Sequence, residues 1–412
     1  MCSAYVPHIN AKSRTRRRQF SVPATRIAIV ACACAALFST VAFASVQDGV
    51  AAFNGGKFDA ALKTLRPVAD AGDPVAKCYV ARIFNAATAG VRRDVALTKQ
   101  YAERALRGLT TKAAEGVASA QACLSVLRSS SNYLSEPNLE TSLQLARRAT
   151  EQGNADGQRV LAGKYQRGIG IKRDYGQANQ WLEKASRSGS VEAKFALALA
   201  QRKGWGVTKN ELAAAYQFKV LAEAGWAIAQ SQYAYMLRTG EGVQQDYAAA
   251  REWYERAAAQ FDAWAQNDLG VMYEFKLGVA QNLPFAFEWY RRSADQGYSW
   301  AQANLGRMYF DGQGVVKDEA KAVAYVRDSA EQNNPYGQFL LGRAFELGSG
   351  VPKDALLALV WYRRSAGQST KDVDRATANV INDAAAAAKR LTGKDPAAPQ
   401  ATEQRVETIG EN

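Results

Sequence analysis

Six times in succession the chain shows the same residue classes, at intervals of 36 positions. The pairs Gly157-Gln158, Ala193-Lys194, Ala229-Gln230, Ala265-Gln266, Ala301-Gln302 and Gly337-Gln338 keep that interval. So do Trp181, Gln217, Trp253, Trp289, Tyr325 and Trp361, and so do Gly170, Gly206, Gly242, Gly278, Gly314 and Gly350. Three position classes sharing one period over six units specify a stacked helical array. This overrides the roughly three domains, at about 150 residues each, that chain length alone would suggest.

Within a unit the apolar spacing reads as two helices. From Asp262 to Gly297, Ala265, Leu269, Met272 and Tyr273 lie three and four apart along one stripe, and Phe285, Trp289 and Ala294 repeat the pattern after Pro284, a residue suited to a helix start. Glycine in the connection supplies the positive φ that a tight turn needs. A single hairpin of this kind cannot bury its stripe alone, so neighbours stack on it. The position held by Ala162, Ala198, Ala234, Gly270, Gly306 and Gly342 never carries a large side chain, which marks a close crossing of two backbones. Trp181, Trp253, Trp289 and Trp361 are expected to fill the wider gap between hairpins as core.

The order Ala-Gln, Leu-Gly-x-Met-Tyr, Gly-x-Gly-Val, Lys-Asp and Trp-Tyr-x-x-Ser/Ala-Ala resembles the Sel-one-like repeat, a branch of the tetratricopeptide superfamily. Residues 298–333 show it in Ala301-Gln302, Leu305-Gly306-Arg307-Met308-Tyr309, Gly312-Gln313-Gly314-Val315 and Lys317-Asp318. The resemblance implies an all-α, right-handed α/α solenoid of about eight helix-turn-helix repeats of 36 to 44 residues. Six strict units occupy 154–369, preceded by two irregular units over 73–153 and by degenerate capping helices over 45–72. A closing helix is expected over 370–392, and a disordered tail rich in Pro, Ala, Gln and Glu over 393–412. The resemblance also implies an adaptor that binds protein partners, and, for exported bacterial members, a role in the cell envelope. Function nevertheless has to come from a site.

Export is argued from the first 44 residues. Arg14, Arg16 to Arg18 and Arg26 precede the apolar run Ile27 to Phe43, which ends in Ala42-Phe43-Ala44. That order is a secretory signal peptide with cleavage after Ala44, and the run is short for a membrane span of roughly 20 residues. Retention as an inner-membrane anchor is the alternative. Arg17-Arg18-Gln19-Phe20 also resembles a twin-arginine signal, so the route stays open.

Cleavage would change the chemistry available. The whole chain carries +13, but six of its 52 basic residues and none of its 39 acidic ones lie in the leader, leaving 46 against 39. No dense basic patch remains, and nucleic acid is not expected as a partner. The single histidine, His8, leaves with the leader, as do Cys2, Cys32 and Cys34. Serine triads, Cys/His dyads and structural zinc sites then lack their residues. No catalytic residue, cofactor or metal site is expected.

Specific motifs point the same way. Gly168-Ile169-Gly170 through Gly176 has equivalents every 36 residues and no preceding strand, so it is a turn and not a nucleotide loop. Some cysteine-rich relatives are linked to penicillin binding, yet no serine here has lysine three residues on. Cys78 and Cys123 fall near equivalent points of neighbouring first helices, which leaves a disulfide and a pair of buried thiols both open. Arg291-Arg292 and Arg363-Arg364 complement helix C-termini, with an acidic polysaccharide as the sharper alternative ligand. A cell-wall or polysaccharide-acting enzyme, or a carbohydrate-binding accessory protein, is the runner-up function.

The informative departures lie at variable positions. Two residues before each marker the chain reads Asp156, Glu192, Ile228, Trp264, Trp300 and Tyr336, a shift from acidic to aromatic. Four residues before, it reads Asn154, Ser190, Trp226, Asp262, Tyr298 and Asn334. Phe261 replaces the closing glycine of Gly153, Gly189, Gly225 and Gly297, where a residue with a Cβ costs roughly 1 to 2 kcal/mol. Trp226, Phe261, Trp264, Tyr298, Trp300 and Tyr336 are the candidate partner-binding residues. Trp264, Trp300 and Tyr336 are expected to form a ladder nearly 20 Å long, at roughly 8 to 10 Å per helix, with the other three beside it.

Overall fold

A computed structural model describes residues 46–86, 91, 93–370, 373 and 375–392. The expected leader and tail lie outside these residues. Every described element is α-helical. Residues 46–54 form α1, which pairs with α2 (Phe58–Asp70). Hairpins then follow: α3 (Pro74–Ala86) with α4 (Val95–Ala114), α5 (Ala118–Leu127) with α6 (Leu139–Glu151), and α7 (Ala155–Arg167) with α8 (Tyr175–Arg187). The series continues with α9 (Val191–Lys203) and α10 (Glu211–Glu223), α11 (Ala227–Thr239) and α12 (Tyr247–Ala259), and α13 (Ala263–Glu274) and α14 (Leu283–Ala294). It ends with α15 (Ser299–Asp311) and α16 (Glu319–Glu331), α17 (Pro335–Leu347) and α18 (Ala355–Ala366), and the closing α19 (Arg375–Thr392), which packs on the last hairpin. The chain is a helical solenoid.

The repeated residues prove to be the joints of this stack. Asp174, Asn210, Asp246, Asn282, Asp318 and Asp354 each stand at the N-cap of a second helix, and each side chain accepts a hydrogen bond from a first-turn N–H. That is the bond an N-cap supplies to an otherwise unpaired donor. The marker glutamine ties one unit to the next. Gln266 Nε2 donates to the Ala258 carbonyl at the end of α12, and Gln266 Oε1 accepts from Gln296, 30 residues on. Gln230 with Ala222 and Gln260, and Gln338 with Ala330 and Gln368, repeat the arrangement, so buried amides run as a ladder through the joints. The ladder breaks where residue 188 is serine: Gln158 Oε1 is buried there without a partner.

Two glycine classes show why they are glycine. At Gly306 an added Cβ would stand 2.5 Å from the Val326 side chain, so α15 and α16 cross too closely for any larger residue. Gly242 has φ 67°, and a Cβ there would lie 2.4 Å from the Glu211 backbone of the preceding unit. Three residues with a Cβ do adopt positive φ: Phe261 (64°), Lys276 (59°) and Asn333 (63°).

The tryptophans depart from the expected core role. Trp181, Trp253, Trp289 and Trp361 are only half-buried, and the residue after each, Leu182, Tyr254, Tyr290 or Tyr362, takes the enclosed position. One face of each indole packs on the core. Over the ring lies a cation three residues on: Lys184 at 4.1 Å, Arg256 at 4.4 Å, and Arg292 and Arg364 at 4.8 Å from the centroid. Residues three apart are neighbours on a helix surface, and an indole face attracts a cation. The second arginine of each paired motif is therefore a cover for tryptophan.

Candidate partner-binding surface

The two variable rows occupy defined places on the first helices. Asn154, Ser190, Trp226, Asp262, Tyr298 and Asn334 are their N-caps, and Asp156, Glu192, Ile228, Trp264, Trp300 and Tyr336 are their second residues. The early members of both rows face the inside of the coil, where the N-terminal helices reach Asp156, Glu192 and Trp226 from far away in sequence.

Arg82 of α3 makes the first of these contacts. Its guanidinium pairs bidentately with Asp156 and reaches Glu192 at 3.2 Å, while Arg159 bonds Asp156 at 3.0 Å and Glu192 at 2.7 Å. The Tyr79 hydroxyl donates to Asp156 at 2.6 Å, and Arg82 lies over the Phe53 and Tyr79 rings. Burial alone would raise the Asp156 carboxyl, but Arg82 and Arg159 outweigh it and hold it well below the usual carboxylate range. The acidic start of the row is thus the counterpart of one buried arginine.

Aromatic contacts continue the seal. Phe58 of α2 meets Trp226 at 6.1 Å, and Phe195 of α9 meets the same indole at 4.8 Å. Trp226 is only 6 % exposed and belongs to the N-terminal core. It is a core residue, and not part of an open surface as the sequence suggested. Lacking a side chain able to cap α11, it replaces that bond with apolar burial.

After Asp156 the members of the second row are only half-buried. The end of α3 and the following loop, with Asn85 and Arg93, approach the starts of α13 and α15 around a cleft of about 320 Å³. Trp264, Tyr298, Asp262 and Gln296 line the same cleft. Burial pushes the Asp262 carboxyl up to about 6, against the Ala265 N–H and Ser231 hydroxyl that favour its charged form. Trp264 packs on Tyr235 at 5.8 Å, and Tyr298, like Trp226, gives its helix no side-chain cap. Trp300 and Tyr336 stack on each other at 6.4 Å, with 26° between their planes, and both are half-buried. Phe261, 40 % exposed, sits on the turn before α13. Four of the six sequence candidates therefore lie along one inner stretch, with Phe261 on a nearby turn and Trp226 in the core.

Other chemistry was hidden from the sequence. Lys164 Nζ meets Ser142 Oγ at 2.6 Å, a Ser/Lys pair that no local motif announces. Both side chains are buried, and the serine hydroxyl donates to the Ser125 carbonyl at 2.5 Å, so its proton points away from the amine. Such a pair is a core polar contact and not an activated nucleophile. Cys78 and Cys123, left open above, form a disulfide between α3 and α5 with Cα atoms 6.0 Å apart. Among the described residues no cluster of three metal-ligating side chains occurs, and no helix is long and apolar enough to cross a membrane.

The Sel1 repeat model matches residues 128–154, 155–190, 191–225, 227–260, 265–298, 301–334 and 335–369. The chain belongs to the Sel1 repeat family. Among solved structures, it resembles a Sel1 repeat protein from Oxalobacter formigenes at 28 % identity, over 57 % of this chain and 93 % of that one, with a TM-score of 0.48. It also resembles c5321, a protective antigen of uropathogenic Escherichia coli strains with an SLR fold, at 24 % identity over 89 % and 94 %, TM-score 0.39. A third likeness is to immunity protein Pa5087 of Pseudomonas aeruginosa, at 22 % identity over 57 % and 81 %, TM-score 0.38. No curated protein matches. Sel1 repeats are generally protein-interaction scaffolds and typically non-catalytic.

Proposed function

We propose that this Sel1 repeat chain is an exported, non-catalytic scaffold of the bacterial cell envelope that holds a protein partner on the inner face of its C-terminal half. The supporting observation is one row: it begins at Asp156, buried under Arg82 of α3, and runs on to Trp264, Trp300 and Tyr336, which stand half-buried. Aromatic side chains supply large contact area at low entropic cost and dominate interface hot spots. Export is supported by the basic, apolar and Ala-x-Ala order of the leader and by a disulfide, which persists in oxidising compartments.

The test replaces half-buried rings and leaves the fully enclosed core residues in place. Trp300→Ala combined with Tyr336→Ala is expected to shift the melting temperature by a few degrees at most while removing partner capture from envelope extract, each ring contributing on the order of 2 kcal/mol. Capture retained at native stability would place the interface elsewhere, and collapse of stability would make both rings core. Terminal sequencing of periplasmic protein is expected to begin at Ser45; an intact leader on membrane-bound protein would overturn export.

A further inference from the structure

One amide of the joint ladder is closed in by the fold and left incomplete. Gln260, Gln296, Gln332 and Gln368 each donate Nε2 to the marker glutamine 30 residues before. Gln260 and Gln368 are half-buried and Gln332 is exposed, so water reaches them. Gln296 is only 8 % exposed, and its Oε1 is buried without a partner. A buried amide oxygen without a donor is costly, and native structures rarely keep one unless water or a ligand completes it.

Arg93 lines the same cleft of about 320 Å³, and its Nε is also buried without a partner. One enclosed acceptor and one enclosed donor thus share a cavity, brought together from the loop after α3 and the turn after α14. A secondary amide meets both needs at once, its N–H donating to Gln296 Oε1 and its carbonyl accepting from Arg93 Nε. The rest of the lining indicates what that amide is attached to. Trp264 and Tyr298 bring aromatic rings, which pack on the C–H face of a ligand ring. Asp262 binds the Ser231 hydroxyl and the Ala265 N–H through Oδ1 alone, so Oδ2 is left to accept from a ligand hydroxyl. The Ser299 hydroxyl accepts from Asn334, which leaves its own proton to donate.

We propose that this cleft binds an N-acetylated amino sugar, with the acetamido group held by Gln296 and Arg93, the sugar ring against Trp264 and Tyr298, and its hydroxyls on Asp262 and Ser299. The volume stands at the small end of ligand pockets, about 300 to 1,000 Å³, which suits one or two sugar rings. A peptide strand answers the two unpaired groups but brings no ring of hydroxyls to the aromatic and polar lining. The site goes beyond the partner surface at Trp300 and Tyr336, and neither requires the other. A ligand this small binds weakly, with dissociation of about 0.1 to 5 mM.

Titration of N-acetylglucosamine and its soluble trimer into the full chain, read by calorimetry and tryptophan fluorescence, tests this. Saturable binding in that range is expected, at least about ten-fold tighter than that of glucose or glucosamine, which lack the acetamido group. Arg93→Ala, on a loop, and Trp264→Ala are each expected to weaken binding at least about five-fold by calorimetry, with unchanged helicity by circular dichroism. Trp300→Ala with Tyr336→Ala, the pair on which partner capture depends, is expected to leave sugar binding unchanged, so the two readings fail separately. No saturable binding up to about 20 mM, equal binding of glucose and glucosamine, or indifference to Arg93→Ala and Trp264→Ala would each overturn the proposal. So would binding of N-acetylglycine methylamide without binding of the sugar, which would make the cleft a peptide site.

Discussion

Lys164 is the residue most at odds with its position. Its equivalents in later units are Ala200, Met236, Met272, Met308 and Ala344, all enclosed, whereas Lys164 puts an amine into the same core with Ser142 as its polar contact. Burial, helped by the Arg167 charge, pushes its pKa down to about 8 from an ordinary 10.5. Below pH 8 the folded chain must therefore hold a charged group that water would solvate better. Between about pH 8 and 10.5 the unfolded chain binds the extra proton, so stability rises with pH across that window. Lys164→Met is expected to stabilise the fold by about 1 to 2 kcal/mol at pH 7, and the advantage should shrink as the pH approaches 10. Urea titrations at pH 7 and pH 10 check this; equal advantages at both would show a solvated amine. Phe261 is a second such residue, with φ 64° on an exposed turn. Phe261→Gly is expected to add about 1 kcal/mol, because relief of the left-handed conformation exceeds the entropy that glycine gives back.

Among elements, the joint between units is where side chains decide most. Gln266→Leu removes the acceptor of Gln296 and one of two donors to the Ala258 carbonyl, which keeps the Phe261 N–H, and a loss of about 1 to 2 kcal/mol is expected, chiefly from the stranded Gln296 amide. The converse experiment extends the ladder. Ser188 is exposed at the end of α8, the position that Gln260 and Gln332 hold in later units, and Gln158 Oε1 waits nearby without a donor. Ser188→Gln is expected to raise stability by about 1 kcal/mol in thermal denaturation, whereas no gain would mean that the α8 end holds residue 188 out of reach.

At the scale of the molecule, contacts across the coil set it apart from a simple stack. In a pure nearest-neighbour array, removing any whole unit costs about the same. Here residues 190–225 hold Glu192 and Phe195, which meet the N-terminal helices or the Trp226 cluster, and residues 262–297 lie mostly beyond that reach. Deleting 190–225 is therefore expected to lower the melting temperature well below that of a 262–297 deletion, as followed by circular dichroism. Equal melting would mean that the inner contacts add little. The same distinction explains what the sequence disclosed. Contacts between adjacent units recur, so they write a period of 36 that any reader can find in Gln266, Gly306 or Asp318. Contacts across the coil occur once: Arg82 with Asp156, or Phe58 with Trp226, leaves no period behind. They surfaced only as exceptions, the acidic-to-aromatic shift and the tryptophan at an N-cap. The exceptions were visible, but whether each met solvent or another segment was not, and Trp226 was misplaced for that reason.

The pairing of Phe58 with Trp226 also sets a clock for synthesis. These rings are separated by 168 positions in a chain made from its N-terminus. At about 5 to 20 residues per second, Phe58 emerges on the order of 10 to 30 s before its partner exists. Phe58, against which Phe53 packs edge-on, remains without its final enclosure for that interval. These N-terminal helices are thus among the last to complete their packing, and the nascent chain presents the Phe58 ring to any chaperone that meets it.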